Sequence, residues 1–187
     1  MKKINFGCGE DIRNGWVNID KFKGKGVDLV FDAEKESLLN HFEENSIEEV
    51  FTAHTLEHLF NADDVFLDFL KIIKPDGILE IKVPHYMRAK NHLILHKRTF
   101  SLNSFTGFYK KKQSSKSLQI KTQQRLKEMS VELHWMNSPS NSILHTINVV
   151  MEAIINMNRA SKDFFDSYLG YYIGGFYEIH YKFKVVK

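Results

Sequence analysis

Two glycines spaced by one residue, Gly7-Cys8-Gly9, follow the short apolar run Ile4-Asn5-Phe6. Lacking Cβ atoms, such a turn lets backbone N–H groups come close to a ligand. In open α/β sheets this place, beyond the carboxyl end of a strand, is where ligands bind. Asp20 closes a second apolar run and Asp32 a third. A carboxylate at the first place can accept two hydrogen bonds from a ribose diol, and one at the second can accept from an adenine amino group. A G-x-G turn alone is weak, because a plain tight turn explains it as well. Three ligand-type features at three successive strand ends are harder to assign to chance.

His54-Thr-Leu-Glu57-His58 offers a different chemistry. It reads as H-x-x-E-H, the inverted zinc-protease motif, in which two histidines one helical turn apart bind the ion and the glutamate is the base. Glu128 or Glu132 would be the downstream third ligand. That motif needs His54 inside a helix, whereas here it directly follows an apolar strand, so no metal is assigned. His85 follows the fifth apolar run and His96 lies in a basic His-Lys-Arg cluster. Together with His54 they are the candidates for a proton-accepting base, although a loop histidine is more often a hydrogen-bonding surface group. Cys8, flanked by glycines, reads as a small packing residue.

These residues need a frame that brings strand ends together. Predicted strands cover 4–6, 16–20, 27–32, 49–53 and 78–83, the second preceded by an Asn14-Gly15 turn. Between the last two, Val65, Phe66, Phe69, Leu70 and Ile73 recur at helical spacing. Asn61 is the predicted N-cap with Asp64 three residues on, and Lys74-Pro75-Asp76-Gly77 is the predicted stop and turn. Short strands alternating with a helix predict an open, mostly parallel sheet. Beyond Pro84 the pattern loosens. Residues 101–105 read as a short helix start, 131–135 as a sixth strand and 176–185 as the last strand. Ile143, Leu144, Ile147, Val150, Met151, Ile154 and Ile155 mark an amphipathic helix capped near Ser140 or Asn141.

The chain has 187 residues, 43% of them hydrophobic, with 26 Lys and Arg against 23 Asp and Glu for a net charge of +3. That length predicts one domain with an ordinary core, and a wholly disordered chain is excluded. A single cysteine excludes an internal disulfide and a cysteine-based zinc cluster. No apolar run approaches the roughly 18 residues of a membrane span, and no leader pattern is apparent, so a cytoplasmic protein is expected. The small net charge hides a division: residues 28–68 hold twelve acids and one base, whereas 110–127 hold seven bases and no acid. The bland reading is two solvated faces. The sharper one is a nucleic-acid surface made of Lys110, Lys111, Lys112, Lys116, Lys121, Arg125 and Lys127, with Phe108 and Tyr109 to stack bases.

The order and combination of these motifs resemble the class I S-adenosylmethionine-dependent methyltransferases. The resemblance is carried by Ile4–Gly9, Val17–Asp20, Asp28–Ala33, Phe51–Leu59 and Leu70–Pro84; His96–Ser101 and the last strand look like the tail of a subgroup of small methyltransferases known from sequence. It implies a Rossmann-like open sheet, mostly parallel with an antiparallel C-terminal strand, with helices on both faces and a lid inserted after the fifth strand. Residues 1–84 would be the cofactor-binding core and 85–187 the acceptor and lid segments. The cofactor would be S-adenosylmethionine, leaving as S-adenosylhomocysteine, and the acceptor a small polar or glycan-like molecule. Gly7, Cys8 and Gly9 would line the methionine part, with Asn5 and Phe6 also counted among the cofactor-binding residues. Asp20, with Lys21 beside it, would bind the ribose, and Asp32 with Ala33 the adenine. His54 would stand near the sulfonium. Three departures stand out: Asn5 replaces an acid, Asp11 replaces a third glycine, and Gly9 to Asp20 spans 11 residues where about 20 are usual. The short interval leaves no room for a full helix, and Arg13 is the candidate for the positive charge that helix would have supplied. A member that binds the cofactor without turnover is the other reading.

Overall fold

A computed structural model describes residues 2–88, 95–109, 125–135, 143–173 and 175–187. The strands are β1 (Lys3–Phe6), β2 (Val17–Asp20), β3 (Leu29–Val30), β4 (Ile47–Ala53), β5 (Ile73–Pro84), β6 (Arg125–His134) and β7 (Glu178–Val186). The helices are α1 (Ala62–Ile72), α2 (Thr106–Tyr109), α3 (Ile143–Ile155), α4 (Arg159–Phe164) and α5 (Gly170–Ile173), with a π-helical turn at Phe165–Leu169. All seven strands form one sheet in the order β3-β2-β1-β4-β5-β7-β6. The first five strands pair in parallel, and β7 runs antiparallel to both β5 and β6.

Strand periodicity divides the sheet into two unlike faces. Ile4, Phe6, Ile19, Leu79, Ile81, Tyr181 and Phe183 share one face and are buried. Helix α1 covers it, with Phe69 edge-on to Phe6 at 5.1 Å and Phe66 stacked on Phe105 at 4.8 Å. The other face carries Lys3, Glu49, Glu80, Lys82, Lys182 and Lys184, cross-strand neighbours by register. Lys3 pairs with Glu49 at 2.8 Å and Lys182 with Glu80 at 3.5 Å. No helix lies in the β1–β2 connection, as the short interval before Asp20 predicts, and none lies in the β2–β3 connection.

Several boundaries differ from expectation. Strand β3 is confined to Leu29–Val30: at Asp28 the side-chain carboxylate accepts from the Asn18 backbone N–H at 2.8 Å, while the Asp28 N–H donates to the Asn18 carbonyl at 2.8 Å. Strand β5 starts at Ile73, and the expected Lys74–Gly77 turn becomes an excursion within it, with Asp76 in the left-handed region at φ 66°. The Asn61 side chain does not cap α1; it donates to the Ala33 carbonyl at 2.6 Å. The helix at 143–155 forms, but most of its apolar stripe stays exposed, and of the seven marked positions Ile155 alone is fully buried. Polar side chains hold that region to the outer edge of β6 instead: Asn156 donates to the Leu133 carbonyl at 2.8 Å and accepts from its N–H at 2.9 Å. The expected caps at Ser140 and Asn141 lie outside the described residues.

Candidate functional site

At the carboxyl ends of β1, β2, β3 and β4 lies a cleft of about 400 Å³, bounded by Gly7, Gly9, Asp20, Phe22, Asp32 and His54 among others. The Gly7 and Cys8 N–H groups both donate to the Ile19 carbonyl, at 2.8 and 2.9 Å. The Gly9 N–H donates to Asp20 Oδ2 at 2.8 Å, and the Phe22 N–H to Oδ1 at 2.9 Å. Asp20 therefore clamps the glycine turn while keeping further lone pairs for a ligand. Gly7 has φ 68°, and a Cβ there would stand 2.0 Å from the Thr55 hydroxyl, so the turn and the β4 exit pack together only with glycine. A Cβ at Gly9 would meet nothing within 4 Å and would stand in open space at the cleft wall.

Phe6, Lys21 and Ala33 also line this cleft, so eight of the ten sequence-predicted cofactor positions converge there. Cys8 and Asn5 do not line it. Cys8 is buried, and burial, then the Asp20 carboxylate, push its thiol above the usual range. Asn5 is buried in a network of its own, donating to the Asp11 carbonyl at 2.6 Å and to Asn18 Oδ1 at 3.0 Å. Asn18 in turn accepts from the Arg13 N–H at 2.9 Å, so these two amides pin the helix-less β1–β2 connection. Arg13 does not turn to the cleft; its guanidinium stacks 3.4 Å from the Phe51 ring centre. At the other rim, Asp32 lies 3.4 Å from Lys21 and 3.3 Å from Lys35.

The three candidate bases separate. His85 is fully buried and does not face the cleft; it accepts from the Met87 N–H at Nδ1 and sets Nε2 2.7 Å from Asp166, anchoring the π-helical turn. His54 does line the cleft, in the left-handed region at φ 51°. Both of its ring nitrogens face carboxylates, Nε2 at 3.1 Å from Glu178 and Nδ1 at 3.4 Å from Glu57. Hydrogen bonds to Glu178 and then Glu57 raise its pKa to about 9, so it is a held imidazolium rather than a proton acceptor. His96 lies edge-on to His58 at 4.7 Å. Burial, then the charge of His58, lower its pKa.

Sequence reading missed the partners of His54. Glu178 Oε1 lies 3.1 Å from His180, and His180 Nδ1 lies 3.1 Å from His134, which reaches Glu152 at 3.4 Å. A signal was present: Glu178 and His180, like Glu132 and His134, alternate at period two and share the polar sheet face. Phe22, lining the cleft and 74% exposed, was missed as well. Of the proposed nucleic-acid segment, Lys110 to Lys121 lie outside the described residues, as does the Arg125 side chain; Lys127 is exposed on β6.

No family model matches the sequence, and no curated protein matches it. Solved structures do match. A SAM dependent methyltransferase from Archaeoglobus fulgidus superposes with a TM-score of 0.51 at 14% identity, over 98% of this chain and 85% of that one. A geranyl diphosphate methyltransferase in complex with SAM gives 0.55 at 10% identity, over 98% and 77%. With the strand order and the antiparallel β7, these decide the architecture. The chain has the class I methyltransferase fold. The [4+2]-cyclase SpnF also matches, at 0.54 and 12% identity over 98% and 73%, so this methyltransferase fold does not by itself fix the reaction. In this methyltransferase-fold chain the β1–β2 connection holds no helix and is pinned by the Asn5–Asn18 amide network. No helix among its described residues is long and apolar enough to cross a membrane.

Proposed function

We propose that the cleft binds S-adenosylmethionine and that the chain transfers its methyl group to a small polar acceptor. The observation that carries this reading is the convergence of the Gly7–Gly9 turn, Asp20 and Asp32 from three neighbouring parallel strands onto one cleft. The donor set suits the cofactor. Asp20 retains acceptor capacity for a ribose diol, Asp32 with the Ala33 backbone can meet an adenine, and the exposed Phe22 ring offers a face for a purine to stack on. The open space at Gly9 accommodates the methionine part. The volume falls in the range of about 300–1,000 Å³ usual for small-ligand sites.

Bound there, the cofactor would supply an activated methyl group to a lone pair of the acceptor, the C–S bond electrons staying on sulfur in S-adenosylhomocysteine and the acceptor's proton passing to solvent. The protein's share is alignment and electrostatics. Glu178 and Glu57 flank His54 from behind the cleft and fix its ring at that wall. His54, donating from both nitrogens, acts as a fixed strut between those carboxylates.

Titration calorimetry tests the reading. S-adenosylmethionine and S-adenosylhomocysteine should both bind the wild type, and Asp20→Ala should weaken both at least about ten-fold, the loss of a charged hydrogen-bonding group. Asp20→Asn, which keeps one acceptor oxygen, should retain part of the affinity. Absence of heat with either ligand on the wild-type chain would sink the proposal.

A further inference from the structure

We propose that Glu57, His58 and His96 form a site for one divalent transition-metal ion of the zinc class at the wall of the cleft. One ligand-capable atom from each lies within 4.8 Å of the others. Donors around a tetrahedral ion stand roughly 3.3–3.5 Å apart, so closing on an ion takes a small inward rotation of each side chain.

Four features mark this as a prepared site. Glu57 is 1% exposed, and its Oε2 has no hydrogen-bond partner among the described residues, while Oε1 faces His54. A carboxylate oxygen buried without a partner is costly, and a cation is the group that would satisfy it. His58 sets Nδ1 3.3 Å from the Leu95 carbonyl. A carbonyl only accepts, so the proton sits on Nδ1 and the Nε2 lone pair is left for an ion, the arrangement typical of a metal-binding histidine. The two segments that supply the ligands are tied together, because the Glu57 carbonyl accepts from the N–H groups of Lys97 at 2.6 Å and Arg98 at 3.2 Å. The cations of those same residues point elsewhere. Lys97 Nζ sits 4.7 Å over the Phe60 ring, and Arg98 Nη2 reaches the Phe60 carbonyl at 2.6 Å and Asp63 at 3.2 Å.

Two imidazoles and one carboxylate suit zinc and its neighbours and disfavour magnesium or calcium, which take all-oxygen sites. The set also differs from the H-x-x-E-H reading. His54 is committed to Glu57 and Glu178, His96 takes its place, and Glu57 becomes a ligand rather than a base. Since His58 lines the cleft, the ion would sit at its edge. A second trio, Glu132, His134 and His180, also brings its atoms within 4.8 Å of one another. There, however, His134 and His180 already face each other at 3.1 Å, which makes His134 a control.

The test uses the full chain, stripped with a chelator and free of cofactor, so its outcome is separate from that of the methyl-transfer reading. Calorimetry with Zn²⁺ should show one equivalent bound, and Co²⁺ should give the visible absorption of a nitrogen- and oxygen-ligated site. Mg²⁺ should give no heat. His58→Ala and His96→Ala should each weaken Zn²⁺ binding by about ten-fold or more, and His134→Ala should leave it unchanged. His58 is exposed and His96 half-buried, so neither change empties the core, and circular dichroism checks that each variant folds. No saturable Zn²⁺ binding, an affinity indifferent to both His58→Ala and His96→Ala, or a loss caused by His134→Ala would overturn the assignment.

Discussion

Asp32 stands where burial and two lysines oppose one another. Burial acts to raise its pKa, but the Glu34 N–H, Lys35 and Lys21 outweigh it and hold the carboxyl below the ordinary value of 3.8. A group depressed in the folded state contributes stability above its unfolded pKa and loses it as pH falls through the folded one. Asp32→Asn should therefore be less stable than wild type at pH 7, and the gap should close as urea unfolding is repeated below pH 3.8. A gap independent of pH would show that the lysines do not hold the carboxylate. At this scale the sequence discloses residue types but not their commitments. Asp20 and Asp32 are legible because each ends a strand. Asn5 reads as a defect in an acidic position until its amide is seen holding the Asp11 carbonyl and Asn18. His85 reads as a base because the position after β5 belongs to the functional edge; its complete burial against Asp166 depends on a turn 81 residues away. Glu178, the partner of His54, is still more remote in the chain.

The outer edge of β6 illustrates what elements settle. An unpaired strand edge exposes backbone groups to another chain, and natural sheets protect such edges. Here side chains do so. Asn156 forms both hydrogen bonds to Leu133 that a further strand would make, and Lys162 Nζ donates to the Val131 carbonyl at 2.5 Å. Because Leu133 is buried, Asn156→Ala should cost about 1–3 kcal/mol by leaving its N–H and carbonyl unsatisfied. Chemical denaturation reads the loss directly, and an unchanged midpoint would mean that water replaces the amide. Strands β1, β2 and β4 and helix α1 are legible because their apolar periodicity is undiluted. The length of β3 is not, since at Asp28 a side-chain carboxylate takes the Asn18 N–H while the Asp28 N–H still donates to the Asn18 carbonyl. The exposure of α3 is not legible either, because its apolar stripe predicts burial while its anchors are the polar Glu152 and Asn156.

Across the molecule, the acidic run at 28–68 is consumed locally. Asp28 binds the Asn18 backbone, Asp68 accepts from Ser37 at 2.6 Å, Glu48 and Glu49 pair with Lys74 and Lys3, Glu57 is buried against His54, and Asp32 lines the cleft. The charge count is visible in the sequence; its division into caps, ladders and site residues follows from the topology. The two-faced sheet has a calorimetric consequence. Unfolding exposes less new apolar surface from a face on which Lys3, Glu49, Glu80, Lys82, Lys182 and Lys184 outnumber the buried Phe51, and exposing polar surface lowers the heat capacity of unfolding. A chain of 187 residues ordinarily shows an increment of about 2.2–2.8 kcal/mol/K. Scanning calorimetry should find this protein below that interval and its stability curve correspondingly broad. An increment inside the interval would mean that the charged face is covered when the protein is in solution.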